Sequence, residues 1–371
     1  MDNLSIGQIN QICDEFRQVK DSHEIWIVAN VNNTVQNHES FIQHTNFSEF
    51  FTKAEFASIV SAITQSFGYV RVFYSEIEFM DHILAHKNSI AIDHVLVFNF
   101  ARDGIREGKK ALIPALCDLF GINYIGSNAF VVSLLRNKFV YAKYLESLGI
   151  PIPPTSVYTQ SFCFNYAAFC ETDTLIAKHV SESASIGLEQ ENIIDRWNSL
   201  SIDKALQKLC SKMNTTQLIV QKFIEGYECE VFVVNYCGRY FAFSPIEIII
   251  HNDRILTASI SDNYYYSFRP LCEHYPEHIC NEIIHTTEIA ARLLNVKNYA
   301  RFDYRITNDG EYYLIDIAGS PYLTRHSSIS YLFTSVLKLE YSDIFVFLAA
   351  IASKNHYIDV NCKSESNNPR E

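Results

Sequence analysis

"RFDYRITNDGEYYLIDIAGSP", residues 301–321, is the stretch on which the reading of this chain turns. Two short runs of alternating apolar residues flank Asn308-Asp309-Gly310, and Asp-Gly between such runs signals a β-hairpin. With Asp309 and Gly310 as a two-residue turn, Asn308 pairs with Glu311 and Asp303 falls opposite Asp316. Side chains alternate along a strand, so Arg301 shares that face, opposite Ala318. The other face carries Phe302, Tyr304 and Ile306 against Tyr313, Ile315 and Ile317, as a core-facing surface should. Carboxylates opposed at roughly 4.5–5.5 Å repel one another, so something must offset the repulsion.

Composition bounds the possibilities. A chain of 371 residues is long enough for two or three packed subdomains. Its 48% hydrophobic and 19% charged content is that of a globular protein. A net charge of −12 argues against sequence-independent binding to nucleic acid or to an anionic membrane. The N-terminus, MDNLSIGQINQICDEF, lacks the basic and apolar regions of a signal peptide. No run approaches the ~20 apolar residues of a membrane span; the longest, IFVFLAAIA at 344–352, suits a buried helix. Ten cysteines without a CxxC pair or zinc spacing read as reduced thiols. A soluble, cytoplasmic protein is expected.

Buried strands at 23–31 (HEIWIVANV) and 94–100 (HVLVFNF), each followed by turn residues and a helical pattern, argue α/β for the first part of the chain. The segment 106–122 reads as a helix with Ala111, Ala115, Leu116 and Leu119 on one face, stopped by Gly121. Residues 128–150 read as a second helix, ended by Gly149 before the stiff linker PIPPT. Then come a strand at 174–180, a small-residue loop SESASIG at 181–187, a helix at 202–213, a strand at 218–224, a long hairpin at 229–250 and a helix at 278–294. The tail from about 356 is polar and expected to fray. The implied division is an N-terminal domain at 1–128, a small central subdomain at 129–215, a larger subdomain at 216–356 and a tail at 357–371.

The opposed aspartates have two readings. The hairpin could lie at a solvated edge, where Arg301 and the carboxylates merely coexist. Alternatively the pair holds a divalent cation, since Mg²⁺ takes one or two carboxylates together with phosphate oxygens. The second reading needs further cations for the phosphates, and three lysines are candidates. Lys178 ends a strand before SESASIG, whose backbone N–H groups could cradle phosphate. Lys222 lies in VQKFIEGYE, where a strand runs into a loop ahead of Glu228, and Lys138 sits in the helical segment before the linker.

The order of these features resembles the ATP-grasp superfamily and, within it, the D-alanine–D-alanine ligases. LFGINYIGSNAFVVSLLRNKFVYAKYLESLGIPIPP is similar to the family's strand, GS turn, lysine-bearing helix and GIPVPP linker. LIAKHVSESASIG is similar to its phosphate-binding flap, VQKFIEGYECEV to its nucleotide-contacting strand, and residues 300–327 to its metal-binding hairpin and acceptor segment. The resemblance implies an ATP-grasp fold with a Rossmann-like N-terminal subdomain, ATP and Mg²⁺ (or Mn²⁺) as cofactors, and small-molecule carboxylate and amine substrates. It also implies that Lys138, Lys178, Gln221, Lys222 and Glu228 bind ATP, and that Asp303 and Asp316 hold the metal. Arg301 would stabilise the acyl-phosphate and oxyanion, while His326 and Ser327 would receive the acceptor's carboxylate. A homodimer is typical of the resembled family.

The sequence departs from the pattern in several places. Ala318 stands where the family has a metal-binding asparagine, and Tyr322 replaces the glycine of its oxyanion hole. Ala184 replaces the flap serine, with Ser183 and Ser185 on either side and Ser185 the candidate catalytic hydroxyl. Ala258 and Ser259 stand where the mobile loop has Lys-Tyr, and Arg254 or Arg325 are candidates to restore that charge. NVNNTVQNHES takes the place of the N-terminal GGxSxE motif, with Glu39 a candidate displaced acid. RDGIREGKK carries Arg102, Arg106, Lys109 and Lys110, which fit either a seat for a carboxylate-rich substrate or an exposed basic turn. The expected function is a carboxylate–amine ligase working through an acyl-phosphate, with altered substrate residues. A catalytically weak ATP-binding relative is the alternative, and a purely structural interaction protein is a third reading.

Overall fold

The computed structural model describes residues 4–366 apart from 33, 35–48, 88–90, 92–93, 105–106, 161–164, 184, 196–197 and 252. Helix α1 (Ile6–Arg17) opens on a capping box of Ser5 and Gln8. Strands β1 (Glu24–Ala29), β2 (Val70–Phe73), β3 (Val95–Phe100) and β4 (Asn123–Ile125) then alternate with α2 (Lys53–Ser66), α3 (Glu76–His86) and α4 (Leu112–Phe120). The strands form a parallel sheet in the order β2-β1-β3-β4. Its order reverses between β1 and β3, the topological switch point at which α/β sheets seat ligands.

Two helices differ from the expectation. The helix expected from residue 106 begins only at Leu112, because Pro114 lacks an N–H and is tolerated only in a first turn. Its buried face is Ile113, Pro114 and Cys117, while Leu119 is 75% exposed. The helix expected over 128–150 is two: α5 (Ala129–Arg136) and α6 (Lys138–Ser147). Asn137 between them has non-helical backbone angles, and its side chain accepts from the N–H of Val140 as an N-cap. The break places Lys138 at the first position of α6, where its N–H bonds the carbonyl of Val180, 3.0 Å away.

The middle of the chain forms an antiparallel sheet, order β5-β8-β6-β7, from β5 (Thr155–Thr159), β6 (Leu175–His179), β7 (Ile193–Ile194) and β8 (Gln217–Lys222). Helix α7 (Ser199–Lys212) packs on it, and the two share their own core of Leu175, Ala177, Ile202, Leu206 and Leu218. The third sheet runs β12-β11-β9-β13-β14 with β10 beside β9. Its strands are β9 (Tyr227–Tyr236), β10 (Arg239–Ala242), β11 (Ile246–Ile250), β12 (Tyr266–Pro270), β13 (Tyr299–Ile306) and β14 (Tyr312–Ala318). Around it lie α8 (Ala258–Asp262), α9 (Glu277–Leu293), α10 (Ser328–Tyr331) and α11 (Tyr341–Ser366). The apolar run 344–352 is buried in α11, and it joins strands β1 and β3 to Phe232 and Val234 of β9 in a single core. Helix α11 continues to Ser366, so the expected fraying does not begin at 356, and residues 367–371 lie outside the described residues. The eight cysteines whose side chains are described are all free.

Candidate nucleotide and metal site

The hairpin brings Asp303 opposite Asp316 and Arg301 opposite Ala318, but by a different route from the one expected. Its turn has three residues rather than two. Thr307 N–H bonds Glu311 O at 2.8 Å, Gly310 N–H bonds Thr307 O at 2.9 Å, and Gly310 takes φ +89°. Tyr304 therefore pairs with Leu314, and a β-bulge leaves Ile315 unpaired before Asp303 meets Asp316. The two one-residue slips cancel at the acids. They do not cancel on the core face, which is Phe302, Tyr304, Ile306, Leu314 and Ile317, whereas Ile315 lines the cavity beside Asp316.

The repulsion between the aspartates is offset by cations of the chain itself. Arg301 donates to both carboxylate oxygens of Asp303, each at 2.8 Å, and lies 2.9 Å from Glu230. Lys138 Nζ contacts Asp316, which also accepts from the Tyr141 hydroxyl at 2.8 Å. Burial pushes the Asp316 carboxyl up, but Lys138, Lys178 and Tyr141 outweigh it and hold the group below its ordinary range. Asp303 on the inner strand is 6% exposed, whereas β14 is the edge strand of the sheet and leaves the Asp316 side chain 31% exposed.

Strand β9 supplies two further acids. Glu230 pairs with Asp303 across the ladder and Glu228 with Arg305. Burial raises Glu228 above its ordinary value and pushes Glu230 up to about 7 against the pull of Arg301. Glu230 and Arg305 were missed by the motif comparison, although period-two alternation sets Glu230 on the face of Glu228 and Arg305 on that of Asp303. Arg305 donates to the carbonyls of Ile224 (2.6 Å), Gly226 (3.0 Å) and Arg254 (3.1 Å), fixing the loop before Glu228.

Among the described residues no group of three or more His, Cys, Asp or Glu makes a ready metal cage. The donor set fits Mg²⁺ in the other way open to it, since two adjacent carboxylates suffice when phosphate oxygens and water complete the shell. Four acids face four cations here, namely Glu228, Glu230, Asp303 and Asp316 against Lys138, Lys178, Arg301 and Arg305. A cation arriving with an anionic ligand would leave that balance nearly unchanged.

The residues expected to bind ATP, metal and substrate line one cavity of about 620 Å³ between the middle and third sheets: Lys138, Lys178, Ser185, Gln221, Lys222, Glu228, Arg301, Asp303, Asp316, His326 and Ser327. That volume is typical of a small-molecule site. Lys178 has no carboxylate within ion-pair distance among the described residues, and burial lowers its pKa. Lys222 is held by Asp173 at 2.8 Å, and the Gln221 amide donates to the Thr155 hydroxyl at 3.1 Å. After Lys178, the His179 ring accepts from the N–H groups of Ser181 and Glu182, shaping the start of the flap. Ser185 adopts φ +54° there, and Ala184 lies outside the described residues.

The opposite end of the cavity is aromatic. The His326 ring centroid lies 4.5 Å from Tyr264, 4.8 Å from Tyr266 and 5.5 Å from Phe268, burial lowers its pKa, and its Nε2 has no hydrogen-bond partner among the described residues. The Ser327 hydroxyl donates to Thr324 O at 2.8 Å and accepts from Ser330 N–H at 3.2 Å, which makes it the N-cap of α10. Tyr322 packs its ring 3.9 Å from the Arg102 guanidinium and donates to Glu49 O at 2.7 Å. Arg254 pairs with Asp195 and Glu225, and Arg325 donates to Ser58; neither lines the cavity. Glu39 and Arg106 lie outside the described residues. Arg102, Lys109 and Lys110 are buried, so these three cations of RDGIREGKK are not on an exposed surface, although Glu107 and Gly108 between them are exposed.

Residues 145–348 match the family profile described as D-ala D-ala ligase C-terminus. The D-alanine–D-alanine ligase of Geobacter sulfurreducens is 25% identical over 234 residues, 59% of this chain and 66% of that protein. That of Cupriavidus metallidurans is 25% identical over 227 residues, with 60% and 66% covered. The chain thus spans just under two thirds of these relatives' length. Among solved structures, the Bacillus anthracis D-alanine–D-alanine ligase complexed with ATP superposes with a TM-score of 0.65 at 14% identity, covering 91% of this chain and 99% of that one. The Coxiella burnetii enzyme gives 0.64 at 16%, with 93% and 99% covered. These neighbours establish the ATP-grasp fold.

Proposed function

The chain belongs to the family of the D-alanine–D-alanine ligase C-terminus, and from that premise we propose that it is an ATP-dependent carboxylate–amine ligase. The observation that carries the reading is the single cavity lined by two opposed aspartates, three lysines and Arg301. ATP would lie between the two lobes taken as residues 129–215 and 216–356. Its phosphates would meet Lys138 and Lys178, its base the strand of Gln221 and Lys222, and its ribose Glu228. Asp303 and Asp316 would hold Mg²⁺, or Mn²⁺ in its place, which when bound screens the charge of the transferring phosphoryl group.

In the reaction, a carboxylate oxygen takes the γ-phosphoryl group and ADP leaves. The amine nitrogen then attacks the acyl carbon, the bond to phosphate breaks, and inorganic phosphate and an amide result. Arg301, held by Asp303 and Glu230, supports the oxyanion of that step, where one placed donor contributes ~3–4 kcal/mol. Ser185 on the flap and His326 at the aromatic end are the remaining contacts to substrate. Ser327 acts through the cap that orients His326 and α10. Tyr322, which stands where the resembled family has a glycine and packs on Arg102, favours another amino acid, a peptide or a natural-product intermediate as substrate at least as readily as D-alanine. Among the described residues no helix is long and apolar enough to cross a membrane; a cytoplasmic site of action fits the ligase reading.

The test is incubation with ATP, Mg²⁺ and a panel of amino acids, followed by phosphate release. Release that depends on a particular acid and amine is expected, and no turnover across a broad panel would overturn the reading. A second reading, a catalytically weak nucleotide binder, is favoured by Ala318 opposite Arg301, which offers no metal ligand. Calorimetry would then give Mg·ATP binding that no carboxylate or amine alters.

A further inference from the structure

A second set of charges lies at the end of the cavity nearest the N-terminal sheet, outside the nucleotide and metal residues. Glu49 is fully buried, with Lys109 Nζ at 3.1 Å, Lys110 Nζ at 3.2 Å and Arg136 at 3.7 Å from its carboxylate. Glu182 approaches Lys109 at 3.5 Å and Arg136 at 3.6 Å. Arg102 is 1% exposed, stacked between Tyr322 and Phe51, and bonds Ser320 O at 3.3 Å. Among the described residues Glu49 and Glu182 are the carboxylates at ion-pair distance from this group of four cations; Glu76 and Asp103 also act on Lys109, but burial raises both carboxyls, that of Asp103 to about 7.

Buried cations in excess are costly unless something pairs with them. Burial, together with Arg102, Arg136 and Lys109 acting against Glu49, pushes the Lys110 ammonium down to about 7. Arg136 Nε and Nη2 and Arg102 Nε are buried without a hydrogen-bond acceptor among the described residues. Arg102, Lys110 and Arg136 nevertheless line the same cavity as Arg301 and Asp316. The cluster also stands at the switch point of the parallel sheet. Arg102 follows β3, and its N–H donates to Asn30 Oδ1 just past β1.

We propose that Arg102, Lys110 and Arg136 seat a second acidic group, a carboxylate or phosphate, on the carboxylate substrate, so that this substrate is a dianion. The proposal rests on the ligase reading for the identity of that substrate. The seat is separate from Lys138 and Lys178, so that one acid group of the substrate remains for activation near Arg301. Arg102, its guanidinium 3.9 Å from the Tyr322 ring, has a buried Nε without an acceptor among the described residues, and Glu49 competes with the incoming acid for the two lysines and Arg136.

The experiment is calorimetry of glutarate and of butyrate binding to the full chain loaded with Mg²⁺ and a non-hydrolysable ATP analogue. Glutarate is expected to bind about 10-fold more tightly than butyrate or better. Lys110→Met should remove about 10-fold of the glutarate affinity while butyrate and the ATP analogue change by less than about 2-fold, and Lys110→Arg should restore it. Glu49→Gln, which removes a competing carboxylate, should tighten glutarate; a merely structural role would weaken it. The proposal is overturned if butyrate equals glutarate, if neither binds, or if Lys110→Met weakens the ATP analogue as much as glutarate, which would make the cluster a nucleotide-phosphate seat. If glutarate is preferred but no amine gives turnover, the ligase reading alone fails.

Discussion

Arg301 is the residue on which the proposed chemistry is concentrated. It holds Asp303 with two bonds in a fork that a lysine cannot reproduce, and it faces Glu230 at the same time. Arg301→Lys is expected to lower kcat by about 10²- to 10³-fold while ATP affinity, read by calorimetry, stays within about 2-fold. Unchanged kcat would remove Arg301 from the transition state. Glu230 makes a pH prediction. Its carboxyl is raised from 4.5 to about 7, so between those values the folded chain binds more protons than the unfolded one. Its contribution to stability is therefore complete below about pH 4.5 and is lost as pH rises through about 7. Denaturant titrations of the ligand-free protein should show this as a decline on the order of 1–3 kcal/mol between pH 5 and 8, which Glu230→Gln flattens. An identical slope in the variant would show that Glu230 is ionised throughout.

At the scale of elements, the site depends on backbone irregularities. The bulge at Ile315 and the three-residue turn at Gly310 carry Asp316 and Ile315 onto the cavity face together. The break at Asn137 starts α6 at Lys138, so the ammonium points from a helix N-terminus toward Asp316. Gly226 takes φ +137°, and a Cβ there would meet Ile306 O at 1.9 Å, a backbone clash that no rotamer relieves. Gly226→Ala should cost about 2–4 kcal/mol in denaturant unfolding and displace Glu228, lowering nucleotide affinity as well. Loss of stability with intact ATP affinity would separate the loop from the site.

At the scale of the molecule, the cores are unequally shared. The N-terminal sheet and the third sheet are cemented by α11, where Phe345 is fully buried and its ring centroid lies 5.9 Å from that of Phe98. Phe345→Ala should cost about 3–5 kcal/mol and shift one calorimetric transition of both units together. Two separated peaks would show that they unfold independently. The middle sheet has its own core with α7, so its opening can proceed while the remainder stays folded. Mg·ATP should therefore raise hydrogen-exchange protection of residues 175–188 more than that of β1 or β3. Equal protection across all three sheets would count against binding between the lobes.

The local code of this chain was sufficient for the strand–helix alternation, the opposed aspartates, the lysine-bearing segments and the family they belong to. These depend on alternation, turn chemistry and motif order, which operate over a few residues. It was insufficient for the turn length, the bulge and the break at Asn137, because each is a compromise between a local preference and the register demanded by neighbouring strands. Above all, it left RDGIREGKK open between surface and site. Only the folded chain carries Glu49, Arg136 and Glu182 from distant segments to Lys109 and Lys110, where burial turns ordinary charges into a confined cluster. Whether a charge is solvated or confined depends on what packs over it, and that is a property of the tertiary structure.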